Sequence, residues 1–533
     1  MKVQKRILAA VVCLCLILGG MSVISMAANP TGSITVENQT GTNASVGGKT
    51  LNLFKIFNAT SSGENISYQW IEENGKNKYE DFFFGTNGVI GEEVGTIHDV
   101  VDYINGLKTD SFAFSQMAAK LHDYIHAKNI TADKTSGEIA STATSYTFDG
   151  LDLGYYLIYD ATTISAGAPA VRSAAMLAHP SENKVIKLKA DRPHVEKTVN
   201  DGTDSAPDWK LGTTASIGDT VTFRVATMVP DHDLYGNSYK FEITDVMADE
   251  LELDENSFNV KVEQPSSASA VTAQYAIYTE NGTDKLSVDE IAAGIDFKVV
   301  FNNITDLAKD TVIEVTYNAK VTDKADFQNK NTATLTYSND PNKADLTGNV
   351  DATASVMLWQ FTLTKYLEDA SGNASSIRLP GAEFQIYRAN NLQNPLTFTE
   401  GTYTDKNGKT YTKYIFNPEG TVTTLATVNE GDDGKTDVGY SDGGSVGQIL
   451  VWGLGEGEYV IRETKAPDGY QIAKGDFKFV LADSIGPAGL IANATITETR
   501  TETPGQFTRV AVREDLQKYY IGITNAPGSA LPE

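Results

Sequence analysis

The sequence predicts an all-β protein of tandem β-sandwich domains, on three observations. From Ser33 onward, short stretches rich in Val, Ile, Thr, Tyr and Phe alternate apolar with polar residues. Gly, Asn and Asp punctuate these stretches at the close intervals that turns between short strands require. The 533 residues are too many for one hydrophobic core, and three domains of ordinary size account for them.

Taken in order, the first residues set the compartment. Lys2, Lys5 and Arg6 form a basic start, Ile7 to Gly19 a short apolar stretch, and Ser25-Met26-Ala27 a small-residue cleavage site, so residues 1–28 read as a signal peptide and the chain as secreted. Both cysteines, Cys13 and Cys15, lie in that apolar stretch. The mature protein therefore has no thiol for a disulfide, a metal or covalent catalysis. A net charge of −26 excludes nucleic acid or an anionic membrane as the main partner, because both reward Lys and Arg. After the leader, no apolar run reaches the roughly 18 residues of a membrane span, so the mature form is expected outside the membrane.

Pro193 follows the strand expected over 185–189, and Asp340-Pro341-Asn342 with Gly348 precedes a new strand near Trp359. These joints divide the chain into domains over 29–192, 193–353 and 354–533. The first carries the clearest helical spacing, Ile97 to Leu107 and then Ser111 to Ala127 with Asp110 as cap, which predicts a small helical insertion. In the third, the polar stretch 391–445 reads as an elaborated loop containing an Asp405-Lys406-Asn407-Gly408 hairpin signal.

Each domain opens with a strand that puts one lysine on its apolar face: Leu51, Leu53, Lys55 and Phe57; Val195, Lys197 and Val199; Phe361, Leu363, Lys365 and Leu367. A buried ammonium is strongly disfavoured, so such lysines require partners. The third domain offers them on matching parity, Glu463 with Tyr459 and Ile461, and Asn525 with Ile521 and Ile523. A core-directed Lys, Glu and Asn permit intramolecular amide formation. The neutral amine attacks the carboxamide carbon, the carboxylic acid moves protons, and ammonia leaves. Burial favours the reaction by lowering the lysine pKa and raising that of the acid.

Lys365, then Leu379-Pro380-Gly381-Ala382-Glu383-Phe384, then Tyr459-Val460-Ile461-Arg462-Glu463-Thr464-Lys465-Ala466-Pro467-Asp468-Gly469-Tyr470, then Ile523-Thr524-Asn525 resemble the B-type repeat domain of Gram-positive collagen adhesins and pilins. The resemblance spans residues 360 to 528 and implies immunoglobulin-like sandwiches, with Lys365 and Asn525 joined by an isopeptide bond and Glu463 catalytic. The middle domain resembles that of sortase-assembled major pilins, through Pro193-His194-Val195-Glu196-Lys197, Phe241-Glu242-Ile243-Thr244-Asp245 and the strand opening at Asn331. This implies a Lys197-Asn331 bond with Asp245 catalytic, and Asn329 shares the parity of Asn331 as a second possible acceptor. In the first domain Lys55 is a third cross-linking candidate, with Asp160 beside it in parity but no asparagine of matching parity. The structural alternative for each lysine is a buried ion pair, or for Lys55 a side chain that reaches the surface.

Pilins also present an exposed lysine for inter-subunit linkage, in a Tyr-Pro-Lys context shortly before the proline that opens the next domain. Lys189 stands four residues before Pro193 but in Lys187-Leu188-Lys189, so Lys187 is its rival. The terminal Ala530-Leu531-Pro532-Glu533 resembles the start of a Leu-Pro-x-Thr-Gly sorting signal truncated before its threonine. The resemblance implies a major pilin on a Gram-positive cell: identical subunits joined covalently by a sortase, ancillary tip and basal pilins, peptidoglycan anchoring, and adhesion to a host surface ligand. The alternative is a wall-anchored adhesin or basal pilin that does not polymerise.

No enzyme, cofactor or metal is expected. The six histidines form no zinc or triad motif, and His122 and His126 lack the glutamate of a metalloprotease helix. Asn429-Glu430-Gly431-Asp432-Asp433-Gly434 is acidic enough for calcium but lacks EF-hand spacing and reads as a polar loop.

Overall fold

The computed structural model describes residues 31–528, apart from 41–43, 63–64, 109–110, 165–166, 169, 180–182, 344–345, 372–373, 405–409, 428–445, 474, 486–490 and 500–518. The signal peptide, the hairpin tetrad 405–408, the acidic stretch 429–434 and the terminal 530–533 lie outside the described residues. Strands dominate, and they form three successive two-sheet units. The chain is thus an all-β array of tandem immunoglobulin-like sandwiches with a helical insertion in the first.

In that first unit, β1 (Thr31–Glu37), β2 (Thr50–Ser62), β3 (Ser145–Asp152), β4 (Gly154–Asp160) and β5 (Asn183–Lys187) supply the principal strands. β1 runs parallel to β5 and antiparallel to β3 in one sheet, and β2 pairs antiparallel with β4 in the other. Ile34, Val36, Leu51, Leu53, Phe148 and Ile158 fill the space between the sheets. On the outer face of the β2-β4 sheet, Phe54, Ile56, Leu157 and Tyr159 are covered by α1 (Ile97–Gly106) and α2 (Phe112–Ala127). Burial on both faces explains why β2 carries apolar residues on both parities, Leu51 and Leu53 on one and Phe54 and Ile56 on the other. α2 is capped by Ser111, whose side chain accepts from the Phe114 N–H at 3.2 Å, one residue beyond the expected Asp110.

The second unit contains β6 (Val195–Asn200), β7 (Thr220–Met228), β8 (Phe241–Met247), β9 (Val312–Val321), β10 (Gln328–Ser338) and β11 (Thr347–Met357). One sheet carries β6, β7 and β9 in that order, and the facing sheet β11, β10 and β8. Strict alternation of buried and partly exposed residues along β7 and β9 reflects sheets with one face inward. β11 runs to Met357, beyond the joint expected at 353, and Asn331 therefore lies on the penultimate strand of its unit.

The third unit is formed by β12 (Trp359–Glu368), β13 (Glu383–Arg388), β14 (Phe398–Thr404), β15 (Thr410–Phe416), β16 (Gln448–Leu454), β17 (Gly457–Lys465), β18 (Phe477–Ile485) and β19 (Tyr519–Asn525). β12 lies between β16 and β19, antiparallel to the first and parallel to the second, while β13, β17 and β18 build the facing sheet. The expected elaborated loop over 391–445 instead contributes β14 and β15, anchored by buried Phe398, Tyr414 and Phe416. Polar contacts fasten the units together. Arg172 pairs with Asp340 at 2.9 Å across the first joint, and Ser216 Oγ accepts from the Gly455 N–H at 2.8 Å across the second.

Candidate functional site

In the third unit the expected trio meets. Lys365 on β12, Glu463 on β17 and Asn525 on β19 have fully or almost fully buried side chains. Lys365 and Asn525 come from adjacent parallel strands, offset so that Leu367 faces Asn525 in register, and Glu463 reaches in from the opposite sheet. The Lys365 Nζ lies 3.0 Å from Glu463 Oε1 and donates to Asn525 Oδ1. Asn525 Nδ2 donates to the same Glu463 Oε1 at 3.0 Å, and the Ala473 N–H holds Oε2 at 2.6 Å. One carboxylate oxygen thus touches both the nucleophile and the leaving nitrogen of an amide-forming reaction.

The second unit assembles the same chemistry differently. Lys197 on β6 comes from one sheet, whereas Asp245 on β8 and Asn331 on β10 come from the other, and all three are fully buried. Lys197 Nζ lies 2.5 Å from Asp245 Oδ2, over the rings of Phe223 and Tyr317. Burial lowers the lysine pKa and raises that of the aspartate; their mutual attraction opposes both shifts but does not outweigh them. The pair therefore tends toward a neutral amine beside a neutral acid, the state the reaction needs. Asn329, of equal parity, makes three hydrogen bonds, to Asp326 and to the Val356 carbonyl, and serves the local backbone.

Sequence reasoning missed a fourth member, Tyr317 on β9. Its hydroxyl donates to Asp245 Oδ1 at 2.9 Å and accepts from Lys197 Nζ and, at 2.9 Å, from Asn331 Nδ2. The available signal was a tyrosine on the buried parity of Ile313, Val315 and Ala319, since a buried phenol needs a partner for its hydroxyl. Asp296, just before the next strand, is also close. Its backbone N–H donates to the Asp245 carbonyl at 2.9 Å, and burial, with Asp245 contributing, raises its pKa to about 6.

The first unit does not bring its expected groups together. A β-bulge between Lys55 and Phe57 turns Phe57 toward the helical side. Lys55 keeps the register of Leu51 and Leu53 but lies at the rim, its Nζ 3.9 Å from exposed Asp152. Asp160 is instead engaged by Lys49, which stands one residue before β2 on the parity of Leu51 and Leu53. Lys49 Nζ lies 2.6 Å from Asp160 Oδ2 and 2.6 Å from the Val171 carbonyl. Asp160 also accepts from the Ser173 N–H at 2.8 Å, the Thr162 N–H at 3.1 Å and the Thr162 hydroxyl.

Lys187 and Lys189 line one groove of about 820 Å3 at the first joint, together with Phe114, His179, Asp191 and Tyr235. Lys187 ends β5, is exposed, and pairs with Glu37 at 2.5 Å. Lys189 lies two residues past the strand, half-buried, its Nζ 5.6 Å from the centre of the Phe114 ring. His122 stacks on Tyr159, and among the described residues no cluster of His, Cys, Asp and Glu could hold a metal ion.

Residues 368–488 match the family described as SpaA, prealbumin-like fold domain. Among solved structures, the chain is similar to the T6 backbone pilin of serotype M6 Streptococcus pyogenes, at 16% identity over 86% of this chain and 81% of that one, with a TM-score of 0.47. It is also similar to the full-length major pilin SpaD of Corynebacterium diphtheriae, at 16% identity over 94% and 98%, TM-score 0.41. A third is BcpA, the major pilin subunit of Bacillus cereus, at 14% identity over 94% and 100%, TM-score 0.36. No curated protein matches the chain.

Proposed function

We propose that this chain is the shaft subunit of a covalently polymerised cell-surface pilus, exported and joined to its copies by a sortase, and that its second and third domains cross-link themselves. The reading is carried by the two buried sites in which lysine, carboxylate and asparagine converge from strands far apart in sequence. In each, Lys Nζ attacks the Asn Cγ, a Cγ–Nζ bond replaces Cγ–Nδ2, and ammonia departs; no oxidant or cofactor takes part. Glu463 and Asp245 accept and return the protons. The Lys365-Asn525 bond would join the first strand of its domain to its neighbour β19, so that tension along a fibre passes through a covalent bond and bypasses the strand ladder. A thiol-free secreted chain gains in this way what a disulfide would otherwise supply.

Polymerisation is supported by Lys187 and Lys189, which both line the groove of about 820 Å3 at the first joint. The sortase-bound acyl end of one subunit would be transferred to Lys189, with Lys187 as the second candidate. The test is expression of the full-length chain in a sortase-bearing Gram-positive host with Lys189→Ala, Lys187→Ala and both. Loss of the high-molecular-weight ladder with Lys189→Ala is the expected result. A ladder surviving the double variant would overturn both lysine assignments, and a parent that forms no ladder would overturn the shaft reading and favour a wall-anchored adhesin that does not polymerise.

A further inference from the structure

The two cross-linking sites solve one geometrical problem with side chains of different length. In the third domain, Glu463 Oε1 is 3.0 Å from both Lys365 Nζ and Asn525 Nδ2, so the carboxylate alone bridges nucleophile and leaving group. Asp245 is one methylene shorter. It contacts Lys197 at 2.5 Å, but among the described residues it makes no hydrogen bond to Asn331. The Tyr317 hydroxyl occupies the gap, bonded to Lys197 Nζ, Asp245 Oδ1 and Asn331 Nδ2 together. Asn331 Oδ1 is buried with no partner, so the site grips this amide by its departing nitrogen alone.

We propose that Tyr317 is a catalytic residue of the second-domain cross-link, relaying the proton from the Lys197 amine to the departing nitrogen of Asn331. The inference rests on the amide-forming reading above and adds the route of one proton. When Nζ bonds to Cγ, the attacking nitrogen must lose a proton and Nδ2 must gain one to leave as ammonia. The phenol oxygen contacts both atoms. It accepts the Nζ proton while passing its own to Nδ2 and ends unchanged, so atoms and charge balance. Burial holds the phenol pKa well above its ordinary value, so the hydroxyl starts the exchange protonated. Aspartate with tyrosine thus performs in the second domain what glutamate performs alone in the third.

The experiment refolds the full mature chain as parent, Tyr317→Phe, and the double variant Asp245→Glu with Tyr317→Phe, and follows ammonia loss at each site by peptide mass. Cross-linking at Lys365 and Asn525 in the same molecules is the internal standard. In Tyr317→Phe, the Lys197-Asn331 bond should form on the order of 100-fold more slowly, the scale of a lost proton-transfer group, with the third domain unaffected. The longer carboxylate in the double variant should recover much of the rate. Amide exchange over β9 and β10 reports whether the second domain has folded. A folded Tyr317→Phe chain that cross-links at the parent rate overturns the relay and leaves the cross-link reading intact. If Tyr317→Phe does not fold, a folded double variant decides: cross-linking supports the relay, and its absence overturns it. A parent lacking the Lys197-Asn331 bond removes both the reading and the relay.

Discussion

The first and second domains each bury a lysine against an aspartate, yet their surroundings differ in kind. Asp160 receives Lys49 together with two backbone N–H groups and a threonine hydroxyl, and Lys49 also donates to a carbonyl. Such a donor-rich site satisfies the buried carboxyl oxygens with hydrogen bonds and, among the described residues, places no asparagine on the lysine. Among the described residues, the Asp245 carboxyl receives only Lys197 and the Tyr317 hydroxyl, in a box walled by Phe223 and Tyr317, with Asn331 at hand. Burial of a lysine therefore does not announce a cross-link. On the proposed reading, what separates a structural salt bridge from a cross-linking trio is the supply of donors to the carboxylate and the presence of an amide.

The largest effect should come from deleting a carboxylate proposed to catalyse cross-linking. Glu463→Ala is expected to lose one ammonia fewer than the parent, each measured against its own calculated mass, and, by releasing a loop that spans 160 residues, to lower the unfolding free energy of the third domain by about 5 kcal/mol on the chain-entropy estimate. Intact mass and a urea titration measure both. A variant that loses as many ammonias as the parent would show that Glu463 is dispensable.

Lys49→Ala sharpens the contrast from the other side. It strands a buried carboxylate, which should destabilise the first domain by about 3 kcal/mol or more while leaving the number of ammonia losses unchanged. If the parent instead carried a further cross-link that disappeared in Lys49→Ala, the distinction between the two aspartates would collapse.

Strand parity proved a good guide where strands are regular. Lys365, Glu463 and Asn525, and Lys197, Asp245 and Asn331, all lie on the buried faces that alternation predicts. At Phe57 it misled, because a bulge after Lys55 shifts the register there, while Lys55 keeps the parity of Leu51 and Leu53 but lies at the rim, beside exposed Asp152. Lys49 shares that same parity but stands one residue before β2 begins, outside the run that opens at Leu51. Tyr317 was hidden for another reason, since its ring belongs to the core and only its hydroxyl belongs to the site. The stretch 391–445 looked like a loop because Thr, Gly and Asp dominate it, while its few aromatic anchors are what fix β14 and β15 in the sheet.

The smallest predicted effect tests whether the second domain's box is indeed hostile to charge. Asp296 faces Asp245, Asp249 and Lys197, and the Met247 N–H donates to its carboxylate at 2.7 Å. Burial nevertheless prevails and raises its pKa from 3.8 to about 6. A folded-state value above the unfolded one means that the native state holds a proton the unfolded chain has released. Between about pH 4 and about pH 6 this group therefore makes stability fall as pH rises. Asp296→Asn removes the contribution, so the melting temperature of the variant relative to the parent should climb across that interval and level off above it. A difference that stays constant from pH 4 to pH 7 would mean that the hydrogen bond from the Met247 N–H compensates the burial of the Asp296 carboxylate.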